Sequence, residues 1–392
     1  MVRIQIDSTI DALDPQKWDQ IVERDHIVSR HAYLKAIERA EINDCQFRYV
    51  TLQEGDRILA HTCVYSMTFP LDLFNGGLSK KAVDSVRTLW PRFLSTRFVE
   101  CGTPVALGHT FSFAPDGNVR TLLSFLLEGI ETVACSFRHK TILVRDFIEG
   151  DLGWAGDSFP TKGYGRVPNL PNTFLEIRWH SFDEYLASLK SKYRNEAKNH
   201  IMRAQKNSIR FENRANFENL AGELTRLWHQ TYERPHEYRR EILTPKYFEA
   251  MDSELGSQSG VLLAWKGVQL VGFSLYLLDD DTLRWQYSGM DYEVSREASL
   301  YFNLMYQLIE LAIAAGKKAI EMGITSYSPK LQVGAAMEPL QMYLRHTSPL
   351  WHPVVVSLWR SFTKLPKGRI SKEVFCLDPP TPRTLRRETP CC

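Results

Sequence analysis

The stretch LRWQYSGMD (283–291), YEVSREA (292–298), SLYFNLMYQLIELAIAAG (299–316) and KKAIEMGI (317–324) decides the fold. Its first part reads as a strand, its third as a helix and its last as a second strand. The helix rests on Leu300, Leu304, Leu308, Leu311 and Ala315, which share one face at helical spacing, with Ser299 as N-cap and Gly316 as stop. Upstream, GVLLAWKG (260–267) and VQLVGFSLYLL (268–278) form two β-rich runs broken at Lys266-Gly267, which predicts a hairpin. The acidic run Asp279-Asp280-Asp281 is the next turn.

The N-terminal half repeats this order. FRYVTLQEGDRILAHTCVYSM (47–67) reads as a hairpin turning at Glu54-Gly55-Asp56, RFVECGTP (97–104) as a strand, NVRTLLSFLLEGIETVACSF (118–137) as a helix and KTILVRDF (140–147) as a strand. Two copies of hairpin, strand, helix, strand predict a tandem α/β (α+β) protein, each unit a mixed, mainly antiparallel sheet flanked by helices. The length of 392 residues suits two domains. We place the first at 1–150 and a linker at 151–172, where Gly, Pro and Asn are dense. The second is placed at 173–370, with a Pro- and Arg-rich tail at 371–392 expected to be disordered and Cys391-Cys392 at its end. Within the second domain, FDEYLASLKSKYRNEAKNHIMRAQKN (182–207) reads as one long helix, IRFEN (209–213) as a strand and NFENLAGELTRLWHQTYER (216–234) as a further helix.

Composition narrows the function. A hydrophobic share of 44% places the chain among globular proteins, and a net charge of +2 argues against a protein that coats nucleic acid. No apolar run reaches the roughly 20 residues of a membrane helix, and MVRIQIDSTIDALDP (1–15) carries acids where a signal peptide has its apolar core, so no membrane insertion and a cytoplasmic location are expected. The cysteines Cys45, Cys63, Cys101, Cys135, Cys376, Cys391 and Cys392 are odd in number and mostly isolated in apolar segments, which predicts neither a disulfide framework nor a zinc site.

Three segments carry a resemblance. SLKSKYRNEAKNHIMRAQK (188–206), the strand LRWQYSGMD, and YFNLMYQLIELAIAAGKKAIEMGITSYSPKLQVGA (301–335) resemble the Fem-type branch of the GNAT superfamily and its peptidoglycan-biosynthesis-like relatives. DPQKWDQIVERDHIVSRHAYLKAIERA (14–40) is similar to the opening of those relatives. The resemblance implies tandem GNAT domains and transfer of an acyl or aminoacyl group to an amine. The donor it implies is an aminoacyl-tRNA, or an acyl-CoA or carrier-protein thioester; no bound cofactor is implied. One departure stands out. GNAT enzymes carry a glycine-rich loop before the helix for a coenzyme A pyrophosphate, whereas YEVSREASLYF (292–302) has no glycine, which moves weight toward donors held differently.

Aminolysis of an ester or thioester needs a deprotonated amine, a donor aimed at the oxyanion and a route for the proton. No G-x-S-x-G elbow or H-E-x-x-H helix is present, and we assign no metal. Lys330, just beyond the strand AIEMGI, is placed at the site mouth as an oxyanion or phosphate ligand, with Glu321 and Tyr327 as proton acceptors. Trp285 and Tyr287 alternate along one strand and are expected on one face, Tyr287 nearer the chemistry. Arg296, Ser299 and Asn303 surround the helix start, where free N–H groups favour an anion or carbonyl. The basic segment Lys190 to Lys206, above all Lys192 and Arg194, is a candidate contact for tRNA or an acyl carrier protein, although such a run also suits a solvated face. ERPHEYRREIL (233–243) is a candidate cover over the groove. The function expected is amide-bond formation on a small-molecule or cell-wall-like amine. The alternative is a catalytically silent tandem protein that recognises a polysaccharide or peptidoglycan precursor.

Overall fold

The computed structural model describes residues 2–70, 95–232, 240–363, 365–366 and 370–376. In the first half, β1 (Arg3–Asp7), β2 (Gln46–Glu54) and β3 (Arg57–Pro70) run antiparallel, followed by β4 (Ser95–Cys101), the two-residue β5 (Ser112–Phe113) beside β3, and β6 (Thr141–Phe147). The second half brings β8 (Ile209–Arg214), β9 (Ser259–Lys266), β10 (Gln269–Leu278), β11 (Thr282–Met290) and β12 (Ala319–Glu321). Two further strands, β7 (Gly165–Glu176) and β13 (Ala336–His346), lie between the halves.

All these strands join in one sheet, in the order β1-β2-β3-β4-β6-β13-β7-β12-β11-β10-β9-β8. Among the described strands only β4/β6 and β11/β12 pair in parallel. A helix bridges each parallel pair, Val119–Ser136 in the first half and Leu300–Ala314 in the second, as parallel neighbours require. The hairpin turns fall at Gly55 and Gly267, with φ of 61° and 59°, values glycine takes without steric cost.

The helix Leu300–Ala314 shows why the sequence pattern is decisive. Leu300, Leu304 and Leu308 are wholly buried, joined by Met305, Ile309 and Ala312, while Leu311 is half-buried and Ala315 exposed. Each fully buried leucine contributes roughly 1.5–3 kcal/mol relative to exposure, so this face holds the helix against the sheet. A shared core ties the halves: Trp18, Tyr33 and Ile37 pack in one cluster with Leu224, Trp228, Phe248 and Phe273.

Several expectations are corrected. The stretch 151–172, read as a linker, holds two single-turn helices and most of β7, which is paired on both sides. Pro171 falls where β7 and β13 shift register between Glu338 and Leu340, while Pro168 stands opposite Gln341. The two halves thus exchange central strands, β7 pairing with β12 and β13 with β6. The long helix 182–207 is two helices, Phe182–Ser188 and Ser191–Lys206. Leu189 and Lys190 are extended because the chain near residue 375 pairs there: Lys190 N donates to Val374 O at 2.8 Å and Cys376 N to Ser188 O at 2.8 Å. Residues 371–376 are therefore docked, with Val374 buried and the Phe375 ring against Gly334. Cys391 and Cys392 lie outside the described residues.

Candidate active site

β11 and β12 pair only from Thr282 to Arg284 against Ala319 to Glu321. Beyond that point β11 continues along β10 to Met290, while the chain after β12 turns through Gly323 (φ 78°) and Ser326 (φ 52°) into the helix Tyr327–Gln332. The wedge opens into a cleft of about 1150 Å³ lined from both halves. Glu321, Lys330, Trp285, Tyr287 and Arg296 line its second-half wall, and Glu100, Arg145, Val105 and Ala106 line the first-half wall.

Lys330 is buried, not a solvated surface lysine. Its Nζ donates to Met322 O and, at 3.3 Å, to Gly323 O, and it stands 5.8 Å over the Trp285 ring. A buried ammonium held by carbonyls fixes positive potential at the end of β12, facing the cleft. Glu321 is also buried and receives Arg284 Nη1. Burial pushes its carboxyl above the ordinary range, with the Arg284 guanidinium opposing the shift without reversing it.

Tyr287 Oη donates to Glu241 Oε1 at 2.6 Å and to Val105 O at 3.3 Å. Burial raises the Glu241 carboxyl, the Tyr287 hydrogen bond opposing, and burial also raises the Tyr287 phenol. A carboxylate raised toward neutrality and hydrogen-bonded to a cleft phenol is matched to accepting an amine proton.

Trp285 and Tyr287 do not share a face. β10 and β11 shift register between Leu275 and Tyr276, so that Tyr287 faces Leu275, Trp285 faces Tyr276, and Gln286 is the bulged residue. The bulge resets the alternation. Trp285 packs with Tyr301 against the helix Leu300–Ala314, whereas Tyr287 packs with Trp228 and Tyr247 in the shared core. Both still reach the cleft because it lies at the splayed edge.

Other expected site residues serve the frame. Tyr327 Oη donates to Pro171 O at 2.9 Å and does not line the cleft. Asn303 is buried and spends its Nδ2 on Ala298 O, Ser299 O and His200 O. The turn YEVSREA is a helix, Tyr292–Ala298, and Ser299 is a left-handed hinge (φ 53°) between it and Leu300–Ala314, with no side-chain cap bond. At the start of the helix Tyr292–Ala298 the amides are already bound: Asp291 Oδ1 accepts Glu293 N at 3.0 Å and Val294 N at 3.3 Å. Of that trio only Arg296, exposed, lines the cleft.

Lys192 and Arg194 lie outside the cleft lining. Lys192 is exposed, its Nζ 5.7 Å over the Tyr193 ring. Arg194 Nη1 donates at 3.2 Å to Ala187 O and Leu189 O, closing the end of the helix Phe182–Ser188. Of the segment read as a cover, residues 233–239 lie outside the described residues, and Arg240 and Glu241 are in the cleft wall.

The first-half wall was not anticipated. Arg145 Nη1 meets Glu100 Oε1 at 2.5 Å and its Nη2 meets Asp146 Oδ2 at 2.9 Å; Arg240 reaches the other Glu100 oxygen and Tyr65 Oη. Asn169 Nδ2 donates to Asp146 Oδ1 at 2.7 Å. Asp146 has φ of 68° where β6 and β13 shift register, so a second bulge shapes this wall. The signal was Arg145-Asp146 directly after the apolar run Ile142, Leu143 and Val144 in KTILVRDF.

Comparison with known proteins agrees with this architecture. Residues 9–343 match the FemAB-like family, described as peptidoglycan biosynthesis/recognition. Among curated proteins, the putative 8-amino-7-oxononanoate synthase 2 of Mycobacterium tuberculosis is 25% identical over 330 residues, covering 83% of this chain and 43% of that protein. The chain thus spans less than half the length of that relative. Among solved structures, FemX superposes with a TM-score of 0.55 at 11% identity, covering 86% of this chain and 98% of that one. The C-terminal domain of a putative lysylphosphatidylglycerol synthetase from Agrobacterium fabrum gives 0.52 at 10% identity, covering 90% and 96%. A tandem GNAT protein from the clavulanic acid biosynthesis pathway gives 0.50 at 9%, covering 89% and 99%. At such identities these likenesses concern the fold. The family match covers most of the chain, and the chain belongs to the FemAB-like family.

Proposed function

We propose that the cleft transfers an activated acyl or aminoacyl group directly to the amine of a small-molecule or cell-wall-like acceptor. The observation that carries this reading is the Tyr287–Glu241 pair, 2.6 Å apart, in a cleft that also presents the Lys330 ammonium. The attacking amine passes a proton to Tyr287 Oη as the phenol proton passes to Glu241. The new C–N bond forms, the ester C–O or thioester C–S bond breaks, and the leaving oxygen or sulfur takes the proton from Glu241. The positive potential at Lys330 favours the oxyanion.

Asp291 supports an aminoacyl-tRNA over a coenzyme A thioester. Its carboxylate already satisfies the amides at the turn where a pyrophosphate would sit, and a second anion there would meet like charge. The same observation suits a silent binder of peptidoglycan-like precursors, which needs no donor site. One assay separates all three: amide formation by the purified chain, supplied with charged tRNA or with acyl-CoA, with and without ribonuclease. Product lost on ribonuclease treatment supports the tRNA donor, product indifferent to it overturns that donor, and no product from either donor supports the binder.

A further inference from the structure

We propose that the helix His352–Phe362 is a membrane-docking element that seats the mouth of the cleft on an anionic lipid surface. One side of the helix is anchored: Val355, Val356 and Trp359 pack against a cluster that includes Phe98, Val167 and Met342. The fit is close, because a Cβ at Gly165 would stand 2.8 Å from Val356 Cγ2. Arg360 adds two bonds to Arg166 O, the shorter 2.7 Å.

The other side is an apolar ridge in solvent. Leu350 is 84% exposed, Trp351 60%, Val354 42% and Leu358 49%, and positions 351, 354 and 358 recur at the i, i+3, i+7 spacing of one helix face. Single exposed apolar residues are ordinary; three aligned along a firmly anchored helix and its N-cap, with Leu350 beside them in the preceding turn, are not.

The charge pattern chooses the occupant. Between Glu338 and Glu373 the sequence has no Asp or Glu, yet it carries Arg360, Lys364, Lys367, Arg369 and Lys372 besides Arg345, which pairs with Glu131. A Trp- and Leu-bearing ridge in an acid-free basic stretch suits the boundary of an anionic bilayer, where apolar insertion and headgroup attraction add. A narrow ridge of four side chains is poorly matched to a stable protein interface, which takes about 800 Å² from each partner. No helix among the described residues is long and apolar enough to cross a membrane. Trp359 and Thr363, from this helix and the residue after it, line the cleft, so docking would set its opening beside the lipid.

The test is co-sedimentation of the full chain with vesicles of phosphatidylglycerol and phosphatidylcholine, compared with phosphatidylcholine alone. The chain should partition onto the anionic vesicles, with at least about tenfold weaker partitioning for Leu350→Ser/Trp351→Ser, on phosphatidylcholine alone, or in high salt. Both side chains are exposed, so far-UV circular dichroism should be unchanged in the variant. Absence of sedimentation with either vesicle, or equal sedimentation of wild type and variant, overturns the proposal. So does a wild-type dimer that binds no vesicle and that the substitutions make monomeric, since a second copy would then cover the ridge.

Discussion

Glu100 on β4, before the bridging helix of the first half, and Glu321 on β12, after that of the second, are each buried in an ion pair across a parallel strand pair, and their titration is pushed in opposite directions. Burial raises both. At Glu100 the Arg240 and Arg145 guanidiniums together outweigh it and hold the carboxyl below the ordinary value of 4.5, whereas at Glu321 Arg284 alone does not. The first-half cluster balances two guanidiniums, Arg145 and Arg240, against two carboxylates, Glu100 and Asp146. The second-half cluster sets Arg284 against both Asp279 and Glu321. The two parallel pairs therefore carry a charge-matched cluster in one half and an acid-rich cluster in the other, and Glu100 and Glu321 bring them to opposite walls of the cleft.

The comparison breaks most visibly at Arg284. Replacing Arg284 with Leu leaves two buried carboxylates without their guanidinium and should cost about 3–5 kcal/mol of unfolding free energy, read from urea denaturation. A loss under about 1 kcal/mol would mean that the pair does not hold the halves' charge balance.

A smaller effect sharpens the opposite signs. Above 4.5 the folded chain retains the Glu321 proton that the unfolded chain has lost, so this stabilisation is full below 4.5 and is lost as pH rises through the raised value. For Glu100 the folded chain stays deprotonated, so its contribution is present above 4.5 and is lost as pH falls through the lowered value. Unfolding free energy measured against pH should therefore lose its falling limb in Glu321→Gln and its rising limb in Glu100→Gln, each on the order of 1 kcal/mol. Identical changes in the two variants would refute the contrast.

The smallest effect concerns the hinge. Ser299 has a left-handed backbone and no cap bond, so Ser299→Gly should be neutral or raise stability by about 0.5–1 kcal/mol. A loss of about 1 kcal/mol would contradict a strained left-handed backbone at this position.

Much of the fold was legible because periodicity is a local property. Leu300, Leu304 and Leu308 mark the helix, and Lys266-Gly267 marks the hairpin. The exchange of β7 and β13 was not, since pairing between residues 165–176 and 336–346 leaves no local trace and the prolines of β7 imitate a linker. Of the residues singled out in the sequence, Lys330, Glu321, Trp285, Tyr287 and Arg296 line the cleft, because they stand on or beside the strand and helix whose signals are local. The shared face of Trp285 and Tyr287 failed because a bulge at Gln286 changes direction without changing the residue pattern. Glu241 was missed for a different reason: it enters the cleft from a segment of irregular backbone, where charge says nothing about position.

The central claim is that Tyr287 and Glu241 carry the amine proton in the second-half wall. Single-turnover amide formation by Glu241→Gln, with the donor that supports turnover in the wild type, tests it most directly. The account predicts a fall of about 100-fold or more, with donor binding and urea unfolding little changed. Wild-type turnover in Glu241→Gln would contradict it.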